Sequence, residues 1–478
     1  MNTALIIASE EWRYWLRSSL AISVVALFTI ILIAVSLLTS LRISEEDTER
    51  SHHQSEAEQS FLSQPDRHPH RMVHYGHYIL RTSPPLALFD PGLDSVTGQS
   101  MFLEGHRQNS ATFSALGASA DLGGLSWLTP AMIYQIFAPL LIVLLGHSAI
   151  VREREAKSLA PLLAQGVSGF QIVAGKTAAL LLFVLFLLIP LLVSAALSLP
   201  KGEDILTVVS LLIVYFLYLS VWVILTLSVT TMLQKRPAII AVLAALWLTL
   251  TLVLPSIAVN VAARLAPVSG KIETELAMLT EVRNVSDGHN VNESDLEQLR
   301  SSLFEEYGVN RVEDLDVNIR GIVSQRAEEK LTESMNIFAD RRMEGEVRQA
   351  KVVMKHGWAS PMLAIAFASR ALSATDLEHY HHFLRQAETL RYDFVQGLNE
   401  VHSEQLSYAD DINRNLSEAS YNRTRIDAEN WGLLDEFRFE TTTSTKRLKS
   451  AGLPIMMLIT WMIGLFAILV WASTRLKP

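Results

Sequence analysis

Six apolar runs limit what this chain can fold into more than any other feature. They cover residues 20–41, 127–151, 177–199, 205–233, 237–261 and 453–473, and none contains an Asp, Glu, Lys or Arg. A bilayer is crossed by about 20 predominantly apolar residues in a helix. Burying six such runs in a soluble core would need many amphipathic helices around them. The sequence therefore predicts an all-α polytopic membrane protein: six transmembrane helices with a mostly helical extracytoplasmic domain built from two insertions. The first run exceeds the ~7–15 apolar residues of a signal peptide, and no small-residue cleavage site follows Leu41, so it reads as a retained helix.

Charge gives the orientation. Arg13 and Arg17 precede the first run, and Arg152, Arg154, Lys157 and Lys176 lie between the second and third. Lys235 and Arg236 fill the turn between the fourth and fifth, and Arg475 and Lys477 follow the sixth. Basic residues in short loops mark the cytoplasmic side. Both termini are thus expected in the cytoplasm, with residues 1–19 before the first span, 152–176 as a cytoplasmic loop and 474–478 as a tail. Residues 42–126 and 262–452 fall outside, joined to spans one and two and to spans five and six. The formal net charge of −9 combines 10 basic and 4 acidic residues on the inner side with an acidic excess outside. That balance argues against a nucleic-acid partner, which calls for a basic footprint.

The larger outer segment has helical periodicity over 292–307, from Glu313 to about Lys355, and from Thr375 to about Ser407. Thr375-Asp376-Leu377-Glu378 has the spacing of a capping box. Gly357 to Pro361 breaks the pattern, and the apolar stretch 362–368 is too short to span, which makes it a core or interfacial helix. In the first outer segment, Ser83-Pro84-Pro85 and Asp90-Pro91-Gly92 read as turns and Met101-Phe102-Leu103 as a short strand.

Gly175-Lys176-Thr177 suggests a phosphate loop, but Gly169 is misplaced for one and no strand precedes it. The loop that ends there is more informative. Leu159, Leu162 and Leu163 form one apolar stripe at helical spacing, and Arg152, Glu153, Arg154, Glu155 and Lys157 alternate in sign before it. Such alternation suits either a solvated edge or a partner-facing one. Ahead of the first span, Leu5, Ile6 and Ile7 with Trp12, Trp15 and Leu16 make an amphipathic stretch, with Arg13 and Arg17 at its polar side, suited to a membrane interface.

The run Glu153, Glu155, Lys157, Leu159, Leu162, Leu163 and Gly166, ending in Gly175-Lys176 just before the next span, resembles the loop between helices two and three of ABC-2-type transporter permeases. The six-helix plan with both ends inside resembles that family too. Ser360-Pro361-Met362-Leu363, Ala374 to Leu377, His382-Phe383 and Glu388 to Arg391 are similar to a bacterial subgroup with a large periplasmic helical insertion of unknown function. Ala156 and Lys157 stand where many members have Gly and Thr. The resemblance implies the permease subunit of an ATP-binding-cassette exporter in a bacterial inner membrane. Its partners would be two ATPase subunits, a second permease copy or homologue and the lipid bilayer, with a periplasmic partner as a further expectation. Arg152 to Leu163 would be the ATPase-coupling loop, and the helix with Trp12, Arg13, Trp15 and Arg17 would help seat the ATPase. The alternative is a mechanotransmitter that works its periplasmic domain without moving a substrate through the bundle. A sensor is disfavoured because residues 152–176, the longest inner loop, are too short for an output domain.

No catalytic residues and no cofactor are assigned, and ATP hydrolysis is expected in a partner chain. With no cysteine, thiolate sites and cysteine nucleophiles are excluded. Thirteen of the fourteen histidines lie in the outer segments, including His68, His70, His74 and His77, and a second group of His379, His381 and His382. Sequence spacing fixes no coordination geometry, so these are read as solvated polar residues, with no metal site assigned. The sequons at Asn284, Asn292, Asn415 and Asn422 are expected to be unused. Uncharged spans argue against a proton-driven antiporter.

Overall fold

A computed structural model describes residues 3–94, 96–112, 128–285, 292–433 and 437–477. Trp127, expected to open the second span, residues 113–126 of the first outer segment and the side chain of Asn284 lie outside the described residues. Among the described residues, six helices are long and apolar enough to cross a membrane: Ser19–Leu62, Pro130–Glu155, Gly169–Lys201, Ile205–Met232, Arg236–Leu265 and Ser444–Thr474. They are called spans one to six below. Among the described residues the only sheet is an antiparallel pair, β1 (His77–Leu80) with β2 (Ser100–Leu103), in register His77 to Leu103. The architecture is all-α and polytopic, with the strand expected at Met101 to Leu103 present.

Span four is the centre of the bundle. Tyr215, Tyr218, Leu219, Trp222, Val223 and Leu227 are fully buried, in one core with residues of spans two, three, five and six. Two π-helical turns, Ile133–Phe137 in span two and Thr249–Val253 in span five, precede prolines Pro139 and Pro255. A π turn loosens the regular backbone ladder and leaves carbonyls for other donors. Here Trp247 Nε1 donates to the Ile136 carbonyl at 2.9 Å and Ser360 Oγ to the Leu250 carbonyl at 2.6 Å.

Ser360 caps the short helix Pro361–Ser373, accepting from the Leu363 N–H. Ala364, Ile365, Ala368, Ala371 and Leu372 of that helix join the same core as the spans. Its outer segment thus closes one end of the bundle. A polar chain runs through this junction. Gln135 Nε2 donates to Tyr215 Oη at 2.9 Å, Tyr215 Oη donates to Ser369 Oγ at 3.0 Å, and Ser369 donates to the Asp90 carboxylate.

Span one does not stop at Leu41. The helix runs 44 residues to Leu62, about 66 Å at 1.5 Å per residue, roughly twice the ~30 Å hydrocarbon layer. Its polar half ends in Phe61, buried against Met72, Val73, Phe394, Leu398 and Trp431. A second core joins Ile79, Met101 and Leu103 of the hairpin to Met343, Phe383, Leu384 and Phe437. Both insertions therefore build one domain.

The outer helices differ in detail from their sequence signals. The long helix begins at Ile319, capped by Asn318, rather than at Glu313, where a single 3-10 turn forms. The next begins at Leu377 with Asp376 as N-cap, accepting from the His379 N–H. Thr375 instead donates its hydroxyl to the Asp90 carbonyl at 2.9 Å, so no capping box forms there. The helix Ile319–Lys355 packs on Leu377–Gln405 at Gly321, where a Cβ would come within 2.4 Å of the Ser403 nitrogen. Between them, Arg391 bridges Glu328 at 2.5 Å and Glu388 at 2.7 Å, all three buried.

Candidate functional site

The N-terminal helix Thr3–Arg17 ends one residue before span one, whose Ser18 N-cap accepts from the Ala21 N–H. It lies against span three. Trp12 Nε1 donates to the Ala179 carbonyl at 3.2 Å, and the rings of Trp12 and Trp15 pack at 6.5 and 6.1 Å from Phe183. Gly175 permits this approach, since a Cβ there would lie 2.7 Å from the Ala4 carbonyl oxygen and 2.8 Å from Ile7 Cβ. Arg13 is exposed and pairs with Glu10, and Arg17 stands in the last turn of the helix.

Amphipathicity places a carboxylate on the wrong side of this helix. Glu11 is four residues before buried Trp15 and is itself 1% exposed. It accepts from Lys176 Nζ at 2.5 Å and from Arg152 Nη2 at 2.6 Å. Glu153 completes the cluster, accepting from Lys176 at 3.0 Å and from the Ser158 hydroxyl at 2.6 Å. The Arg152 guanidinium also lies 3.7 Å from the Tyr14 ring centroid. Two carboxylates and two cations balance, as burial of charge requires. Lys176 is committed to this cluster through both carboxylates.

The next two charges tie the loop to other spans. Arg154 donates to the carbonyls of Thr230, Thr231 and Leu233 at 3.3, 3.1 and 2.7 Å. These are the last carbonyls of span four, which have no intrahelical partners and carry the negative end of the helix dipole. Arg154 also reaches the Lys477 carbonyl at 3.3 Å. Glu155 forms a two-pronged pair with Arg236, the first residue of span five.

The leucine stripe turns inward. Leu159 is buried, and Leu162 and Leu163 are half-buried against the bundle core. Lys157 takes a left-handed conformation, φ 55°, which separates the helices Val151–Glu155 and Leu159–Ala164. The exposed residues of the loop include Glu155, Lys157, Ala160, Pro161, Ala164, Gln165 and half-exposed Phe170. The structure thus gathers Arg152, Glu153, Arg154, Leu159, Leu162 and Leu163 into internal contacts and leaves Lys157 facing outward. Glu11 was not singled out in the sequence. Its one signal was an acid on the apolar face, in phase with Trp15.

The reading of the grouped histidines as solvated does not hold for His68, His77, His379 and His381, which are buried, and in the second group each ring has its own partner. His379 bonds Asp376 and Thr442, His381 lies 2.6 Å from Glu346, and His382 lies 2.8 Å from Gln386. His68 and His402 both bond Asp411, at 3.2 and 2.9 Å.

Comparison with known families gives two matches. The family described as ABC-2 family transporter protein matches residues 5–303, and a domain of unknown function (DUF3526) matches residues 272–440. A comparison with curated proteins finds no match. The first family covers the N-terminal helix, five spans and the loop just described, which is more than half of the chain. The protein therefore belongs to the ABC-2 transporter family, as a multi-pass membrane permease subunit that carries an additional helical domain.

Proposed function

We propose that the protein is the permease half of an ATP-driven exporter, and that the outward face of residues 155–170 receives the stroke of a separate ATPase subunit. The cytoplasmic side of a bacterial inner membrane is where this loop belongs by its positive charge. The observation that carries the reading is the bonding behind that face. Glu11, Arg152, Glu153, Arg154, Glu155, Lys176 and Arg236 connect the loop to the N-terminal helix and to spans three, four and five. A push on the exposed residues is then passed to several helices at once, without any chemistry in this chain. Two ATPase subunits and a second permease copy would complete the transporter.

One observation favours mechanotransmission as the second reading. Span one enters the outer domain as one uninterrupted helix, so rotation of the bundle becomes displacement outside. The test is co-purification of ABC-type ATPase subunits with the full-length permease, expressed in its native host and extracted in detergent. Lys157→Glu combined with Gln165→Glu is expected to lower ATPase recovery at least tenfold while the permease elutes as wild type. Unchanged recovery would refute the assigned face.

A further inference from the structure

His70 and His74 are four residues apart, on one face of the turn formed by Pro69–Val73 and its C-cap. Their Nε2 atoms face each other at 3.2 Å. A third imidazole comes from the turn after β2. Glu104 and Arg107 form an isolated bridge around Gly105-His106, and Gly105 N–H donates to the Val73 carbonyl at 2.9 Å. A Cβ on Gly105 would meet Val73 Cγ1 at 2.1 Å, so glycine lets the turn press onto the His70–His74 segment. His106 rings lie 5.6 and 5.0 Å from those of His70 and His74. One nitrogen from each of the three lies within 4.8 Å of the others.

From these contacts we infer that His70, His74 and His106 form a binding site for a divalent transition-metal ion of the zinc type in the outer domain. Tetrahedral zinc with Zn–N bonds of ~2.0–2.1 Å separates its nitrogens by about 3.3–3.4 Å, close to the His70–His74 spacing. His106 has the supporting partner that metal-bound histidines usually have. Its Nδ1 lies 2.7 Å from Glu328 Oε2, and Glu328 is fully buried and anchored on its other oxygen by Arg391. An ionised carboxylate there requires the proton on Nδ1, which makes Nε2 the coordinating atom. His106 also holds a left-handed conformation, φ 64°. Such backbone strain in a residue other than glycine is concentrated at functional sites. Three imidazoles leave one position of a tetrahedral ion to water or an external donor.

The other cluster, His68, His402 and Asp411, is built differently. Arg414 Nη1 lies 3.2 Å from His68 Nε2 and 3.1 Å from Asp411, with Arg320 also 3.4 Å from that carboxylate. Guanidinium groups already supply its positive charge.

The test is zinc titration of the full-length protein, purified in detergent without a polyhistidine tag, followed by calorimetry and by elemental analysis after dialysis. One zinc per chain is expected. His74→Ala, at the exposed rim, should weaken affinity more than about 100-fold, beyond the ~10–100-fold cost of losing an outer partner. His52→Ala with His53→Ala, an exposed pair on span one's extension, should leave affinity unchanged. Absence of bound zinc, or equal affinity in wild type and His74→Ala, would overturn the site.

Discussion

Glu11 gives the sharpest test of how the candidate coupling region is built. Glu11→Ala removes the carboxylate that two cations share, at 2.5 Å from Lys176 and 2.6 Å from Arg152. Breaking a buried ion pair from one side costs about 3–5 kcal/mol because a charge is left without compensation. Glu153 stays 3.0 Å from Lys176 and 3.7 Å from Arg152, which places the expected cost at the lower end, about 3 kcal/mol. If that energy holds the helix Thr3–Arg17 on span three, its opening becomes more frequent by roughly two decades, at 1.36 kcal/mol per tenfold. Amide hydrogen exchange of the detergent-purified protein reads this directly, since local opening sets the exchange rate. Amides of Thr3–Arg17 should exchange about 100-fold faster in Glu11→Ala, with the outer domain unchanged. Combining Glu11→Leu with Lys176→Met, an apolar pair of similar bulk, should recover at least tenfold of that protection. Exchange within about threefold of wild type in Glu11→Ala, or no recovery in the double variant, would refute the argument that this cluster fastens the helix.

Two further outcomes concern the outer domain. Gly321→Val should destabilise it by at least ~1–3 kcal/mol, the cost of overpacking a filled contact, because the new Cβ meets the Ser403 backbone at 2.4 and 2.6 Å; thermal unfolding of the purified variant checks this. Burial pushes His77 down to about 4 from 6.5, against an opposing backbone hydrogen bond. The unfolded chain then binds a proton between those values while the folded one does not, so His77 makes stability fall as pH drops from 6.5 toward 4. His77→Gln should flatten that part of the stability profile, and an identical slope in wild type and variant would count against a buried neutral imidazole.

Local signals carried well into the fold where one segment meets one solvent. The six spans were legible because transfer of an apolar helix into lipid depends on that helix's own residues. Asn292 heads its helix as its periodicity suggested, for the same reason. Caps and boundaries were less legible. Thr375 had the right spacing for a cap but its hydroxyl was taken by Asp90, 285 residues earlier in the chain. The polar half of span one gave no sign that the helix continued to Leu62, because its support comes from Phe394 and Trp431 in the other insertion.

The sequence by itself determined that the chain is a six-span helical membrane protein, with one basic loop after span two and two polar insertions on the opposite side. Those properties follow from hydropathy and charge summed over neighbouring residues. Only the tertiary structure decided what the charges do. Arg152, Glu153 and Arg154 look like a solvent-facing run, yet they meet Glu11, Lys176 and the end of span four, groups 23 to 141 residues away along the chain in the contacts concerned. His106 likewise has no sequence neighbour among the histidines it faces. A charge or an imidazole carries no local record of its partner, because pairing is set by distance in space and by burial, and both arise only when the helices pack.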